Sequence, residues 1–107
     1  MKYSELDFKG ANFFFNQYEN YSEEEYFTYG FLDQDLMCLL YDDINIDVGW
    51  YGDRYSIFVL EPIDADDENG SWSPLFKIEV FEHEKLFDTL QQIINDRKKY
   101  LKLKMFL

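Results

Sequence analysis

Apolar and polar side chains alternate with the period of a half-buried strand from Ile44 to Trp50, where Ile44, Ile46, Val48 and Trp50 interleave with Asn45, Asp47 and Gly49. Gly52-Asp53 follows as a Gly-first pair, the preference of a two-residue type II′ turn whose first position needs positive φ. That loop length fixes a register. Tyr51 opposes Arg54, Trp50 opposes Tyr55, Val48 opposes Ile57 and Ile46 opposes Val59, which puts three apolar pairs on one face. The other face carries Asp47, Tyr51, Arg54, Ser56 and Phe58, polar and aromatic together. The hairpin 44–60 is the stretch around which the remaining elements are expected to assemble.

Toward the N-terminus, Ser4-Glu5-Leu6-Asp7 has the form of a helix N-cap with acids in the first turn, and Leu6, Gly10, Phe13, Phe14 and Gln17 share a helical face. Phe13-Phe14-Phe15 also suits a buried strand. Ser22-Glu23-Glu24-Glu25 is a second start signal, of the capping-box type, and residues 26–32 fit either a helix or a strand with Phe27, Tyr29 and Phe31 on one side. The apolar run 36–41 is open to both states. Asp33 as an N-cap points to a short helix, whereas Asp42-Asp43 as a tight turn points to a strand paired with 44–51, the state expected here. Past the hairpin, Pro62 ends the second strand and residues 63–73 form an acidic loop. In 75–82, Phe76, Ile78 and Val80 alternate with Lys77, Glu79 and Phe81 as a further strand. From His83 onward Leu86, Phe87, Leu90, Ile93, Ile94 and Leu101 recur at helical spacing. Asp88 lies early in this helix and Arg97, Lys98 and Lys99 late, as the macrodipole favours. Residues 101–107 alternate Leu and Lys, extending the helix or adding an edge strand.

These elements predict an α+β fold in one domain, 1–107. A mainly antiparallel sheet of three to five strands, built on 44–51, 54–61 and 75–81, packs against a C-terminal helix, 86–101, and an N-terminal helical segment. The helix lies over the apolar face because each stripe needs a partner. Ile46, Val48, Ile57, Val59, Leu86, Leu90 and Ile94 are the expected core. Trp50 belongs to that face, whereas Trp72, beside the acidic loop, is the better interface aromatic.

Charge changes the picture. Of 107 residues 22 are acidic and 10 basic, a net charge of −12, and aromatic residues make up 21%. Acidity with so many rings is not the signature of disorder. It fits either solubility alone or a basic partner drawn in by long-range attraction. Nucleic acid is disfavoured as a partner, because phosphates need a basic surface. A chain of this length buries about 60–70% of its unfolded surface without staples. The single Cys38 cannot form an internal disulfide, and inside an apolar run it reads as a small buried hydrophobe in a reducing, cytoplasmic setting. No apolar h-region follows Met1-Lys2, and no run approaches the roughly 18–20 residues of a spanning helix, so no membrane association is expected.

Candidate chemistry is sparse. One His, one Cys and no Gly-Xaa-Ser-Xaa-Gly or phosphate loop leave no nucleophile–base pair, and no enzymatic activity is expected. His83, between Glu82 and Glu84, reads as an exposed first-turn residue. Asp64, Asp66, Asp67 and Glu68 beside Asn69-Gly70 raise the question of calcium. Counted from Asp64, however, Gly70 comes one place late for an EF-hand and Leu75 stands where the final Glu belongs. No metal or other cofactor is expected, and the loop is better read as solvated or as a docking edge for a cationic partner.

Ile46-Asp47-Val48-Gly49-Trp50-Tyr51, followed by a strand, Trp72-Ser73-Pro74, another strand and a C-terminal helix, resembles small immunity proteins of bacterial polymorphic-toxin and contact-dependent inhibition systems. The resemblance covers residues 44 to about 94, roughly half of the chain. It implies neutralisation of a cognate toxin domain, often a basic nuclease, by covering its active or substrate-binding site. The acidity and the sparse chemistry, read independently, agree. Partner-binding candidates are Asp42, Asp43, Asp47 and Asp53 at the hairpin and Asp64, Asp66, Asp67 and Glu68 in the following loop, with Tyr51 and Trp72 as aromatic anchors. The alternative is an acidic nucleic-acid mimic of the anti-restriction or anti-CRISPR type, or another acidic adaptor.

Overall fold

Two tight turns set the sheet. Tyr41 N–H donates to the Ile44 carbonyl at 3.0 Å across Asp42-Asp43, and Tyr51 N–H donates to the Arg54 carbonyl at 2.9 Å across Gly52-Asp53. Gly52 has φ +97° while Asp53 is not in the positive-φ region, the pattern of a type II′ turn. The structure, a computed structural model, describes residues 1–20, 36–61 and 74–99. Its strands are β1 (Asn12–Asn16), β2 (Met37–Leu40), β3 (Asn45–Trp50), β4 (Tyr55–Leu60) and β5 (Pro74–Val80). They form one antiparallel sheet in the order β1-β2-β3-β4-β5.

The hairpin register is the one the alternation predicts: Trp50 opposite Tyr55, Val48 opposite Ile57, Ile46 opposite Val59. Residues 36–41 take the strand state, with Met37 opposite Val48 and Leu39 opposite Ile46. Helix α1 (His83–Asn95) crosses the apolar face. Its Leu86, Leu90 and Ile94 join Ile46, Val48, Ile57 and Val59 in one cluster, every one of them 0% exposed. Burial of each such side chain contributes about 1.5–3 kcal/mol, so this face is the main source of stability. Cys38 is buried and unoxidised.

The N-terminal segment departs from expectation. Its helical content is two short 3-10 turns, Tyr3–Glu5 and Gln17–Asn20, and between them Phe13, Phe14 and Phe15 lie in β1. Lys9 at φ 55° and Gly10 at φ 80° form a left-handed turn that no right-handed helix can pass through. The Ser4 cap signal is therefore overridden, and the open edge of β2 takes up the Phe run as a strand instead. Phe14 is the extra residue of a bulge, set between the Phe13–Leu39 and Phe15–Cys38 pairs, and is 68% exposed. The N-terminal arm is held to α1 by Gln91. Its Oε1 accepts from Asp7 N–H at 2.7 Å, and its Nε2 donates to the Asp7 carbonyl at 3.0 Å. Tyr3 stacks on Tyr18 at 5.4 Å and meets the edge of Phe87 at 6.0 Å.

Helix α1 also ends earlier than the spacing predicts. Asp96, at φ −100° and ψ 19°, interrupts it after Asn95, and residues 97–99 are α-helical again beyond that break. The basic residues thus follow α1 rather than fill its last turn. Arg97 still serves the C-terminus, donating from Nη1 to the Ile94 carbonyl at 2.7 Å. The expected elements at 26–32 and 101–107 and the acidic loop 63–73 lie outside the described residues. Among the described residues no helix is long and apolar enough to cross a membrane.

Candidate partner-binding surface

The meander separates the candidate acids by position along β3. Asp42 and Asp43 form the turn that precedes β3, and Asp53 lies in the turn that follows it, so they occupy opposite ends of the sheet. A six-residue strand spans about 20 Å. The expected cluster at the hairpin is therefore two sites, because proximity in sequence across a strand is distance in space.

At the first end, Asp43 is engaged. Its Oδ1 accepts from Ile44 N–H at 2.9 Å and lies 3.7 Å from Arg97 Nε. Arg97 also stacks over the Tyr41 ring at 4.1 Å. Tyr41 donates its hydroxyl proton to the Phe8 carbonyl, and burial pushes its pKa up to about 12 even though Arg97 pulls the other way. These groups and Lys9, Gly10, Asn12 and Asp42 line an open cavity of about 390 Å³. Asp42 is exposed and has no ion pair among the described residues. Asn45 opposes Leu60, and Leu60 opposes Pro74, so the chain leaves β4 and re-enters β5 at this same end. The segment bearing Asp64, Asp66, Asp67, Glu68 and Trp72 is thus anchored beside Asp42 at both its ends, although those residues themselves lie outside the described ones.

At the second end, Asp53 is bound up in a chain of charges. Arg54 Nε meets Asp53 Oδ1 at 2.7 Å, Arg54 Nη1 meets Glu79 Oε2 at 3.0 Å, and Lys77 Nζ meets Glu79 Oε1 at 3.1 Å. Hydrogen bonds from Lys77 and then Arg54 hold the Glu79 carboxyl below its ordinary pKa. The Arg54 guanidinium, bonded to Asp53 first and Glu79 second, has its pKa raised. It also lies 5.7 Å over Phe81. Tyr51, 38% exposed, meets Phe58 edge-on at 5.7 Å and shares with Arg54, Lys77 and Glu79 a shallow cavity of about 260 Å³.

Two expectations need correction. Asp47 is 2% exposed, because the face it shares with Cys38, Asn45 and Ser56 is buried as well as the apolar one. It cannot offer surface charge. His83 is half-buried between Tyr55 at 5.5 Å and Phe87 at 5.3 Å, and burial lowers its pKa. Phe81, 63% exposed, was not among the candidates. The available signal was its phase, an apolar residue at a polar position of the 75–82 alternation. Comparison with protein-family models, curated proteins and solved structures finds no match to this chain.

Proposed function

We propose that this is an immunity-type inhibitor that binds a cognate basic toxin domain, of nuclease type, and covers its substrate-binding site. The carrying observation is the pairing of Asn45 with Leu60 and of Leu60 with Pro74, which brings both anchors of the acidic segment to the Asp42 end of the sheet. From Glu61 to Asp64 is three residues, a reach of about 10 Å. Residues 62–73 carry Asp64, Asp66, Asp67 and Glu68 and no Lys or Arg, and Asp42 is exposed at the end of the sheet where that segment is anchored.

Ion pairing supports the same reading. Lys9, Arg54, Lys77, Lys85 and Arg97 each already meet an acid of their own chain. Five of the chain's ten Lys and Arg residues are thus engaged internally, and the surplus of the 22 acidic residues is left for another molecule. A nuclease receives phosphate on a cationic surface, and a carboxylate-rich surface occupies that field without being cleaved. The proposed contact residues are Asp42, Asp64, Asp66, Asp67 and Glu68 with Trp72 as the aromatic anchor. Asp43, Asp47 and Asp53 are excluded because they are paired or buried. Tyr51 belongs to the opposite end of the sheet.

The test is co-purification from the native host with the partner identified by mass, followed by a cleavage assay on that partner. The expected partner carries a basic domain whose nuclease activity stops at one equivalent of this protein. An acidic partner, or a basic one whose activity is untouched, refutes the proposal.

A further inference from the structure

Among the described residues β5 ends the sheet, and its residue pattern is complementary to itself. Tyr51 and Arg54 close their turn as a hydrogen-bonded pair, so strand alternation turns the backbone groups of Tyr55, Ile57 and Val59 toward β5. There they meet Val80, Ile78 and Phe76. The backbone groups of Lys77 and Glu79 consequently face away from β4, and among the described residues no strand pairs with them. The other outer strand, β1, is interrupted by the bulge at Phe14, which spoils it as a template. β5 is regular from Phe76 to Val80.

We propose that two copies of this chain pair through β5, antiparallel and centred on Ile78, to make one continuous sheet. In this register Lys77 of each copy opposes Glu79 of the other on one face, and Phe76 opposes Val80 on the other face. Neighbouring symmetric registers, centred on Lys77 or on Glu79, set like charges directly opposite and are disfavoured. The charges therefore select one alignment. Apolar surface agrees with it. Phe76 is 40% and Phe81 63% exposed in the single chain. A groove of about 340 Å³ runs beside the strand, with Ile78, Val80 and Phe81 as its apolar lining and Glu79, Glu82, Lys85 and Thr89 as its polar lining. Phe76 of the second copy, opposite Val80, falls at that groove.

Net charge opposes the pairing, since each copy carries −12. Repulsion between exposed charges is screened beyond about 8 Å at physiological salt, so association is weak in low salt and tightens as salt rises. The experiment is sedimentation equilibrium of the full chain at physiological ionic strength, on the wild type, Lys77→Glu and the Lys77→Glu/Glu79→Lys double variant. Lys77 is exposed, and thermal unfolding of each variant verifies that the fold is kept. The expected wild type is a reversible monomer–dimer. Lys77→Glu sets two Glu–Glu pairs across the interface and weakens the dimer by about tenfold, and the double variant restores most of that loss. A wild type that stays monomeric up to about 1 mM overturns the proposal. So does a dimer that Lys77→Glu leaves unchanged, or a double variant as weak as the single one.

Discussion

Gln91→Ala is the perturbation whose cost the structure sets most sharply. Gln91 is a buried polar residue on α1 whose amide satisfies both backbone groups of Asp7, at 2.7 and 3.0 Å, and also donates to Asn95 Oδ1 at 3.0 Å. Alanine removes all three bonds and leaves the Asp7 N–H and C=O to find water at the margin of the core. A net hydrogen bond is worth about 1 kcal/mol, and a stranded part-buried group costs more than that. The estimate is about 2–3 kcal/mol, or a fall of roughly 10–15 °C in the unfolding midpoint for a domain of this size. Gln91→Glu sharpens the test. A carboxylate can still accept from Asp7 N–H but sets negative charge against the Asp7 carbonyl and the Asn95 oxygen, so it should be no better than alanine at neutral pH. Both variants should also speed hydrogen exchange at the Asp7 amide. A Gln91→Ala midpoint within about 2 °C of wild type would refute this account of how the N-terminal arm is docked.

Two further outcomes follow from single positions. Gly52 has φ +97° with open space where a Cβ would stand, so Gly52→Ala costs only backbone strain, about 1–2 kcal/mol in urea unfolding. An unchanged midpoint would contradict the type II′ turn. His83 is held below its ordinary pKa by burial, while the unfolded residue titrates near about 6.5. Between those two values the unfolded chain binds the extra proton, so stability falls as pH drops through that window. His83→Phe keeps a ring between Tyr55 and Phe87 and should show a shallower loss between about pH 7 and 5, and equal slopes would remove the argument.

The elements that alternation and turn chemistry determine locally were legible in advance. The register of residues 44–60 follows from a Gly-first turn and three apolar pairs, and the strand state of 36–41 from Asp42-Asp43. What was not legible depends on neighbours distant in sequence. The Ser4 signal is a genuine local preference, but Lys9-Gly10 turns left-handed and β2 offers Phe13–Phe15 an edge. Asp47 sits in the polar phase of its strand, and phase does not tell whether a face is covered. The acids of the turns looked clustered because a strand of six residues separates them by little sequence. Only the meander shows that Asp42 shares its end with Leu60 and Pro74, while Asp53 is neutralised at the other by Arg54.

The measurement that bears most directly on the proposed function is the association rate with the partner recovered from the native host. It is taken by stopped flow from about 0.02 to 0.5 M salt. The comparison is between the wild type and a chain in which Asp42, Asp64, Asp66, Asp67 and Glu68 are changed together to Asn or Gln. Attraction by the acidic end predicts a wild-type rate that falls by about tenfold or more across that range, and a variant that is slower in low salt and nearly flat. A wild-type rate indifferent to salt, or a variant that associates as fast as wild type throughout, would contradict it.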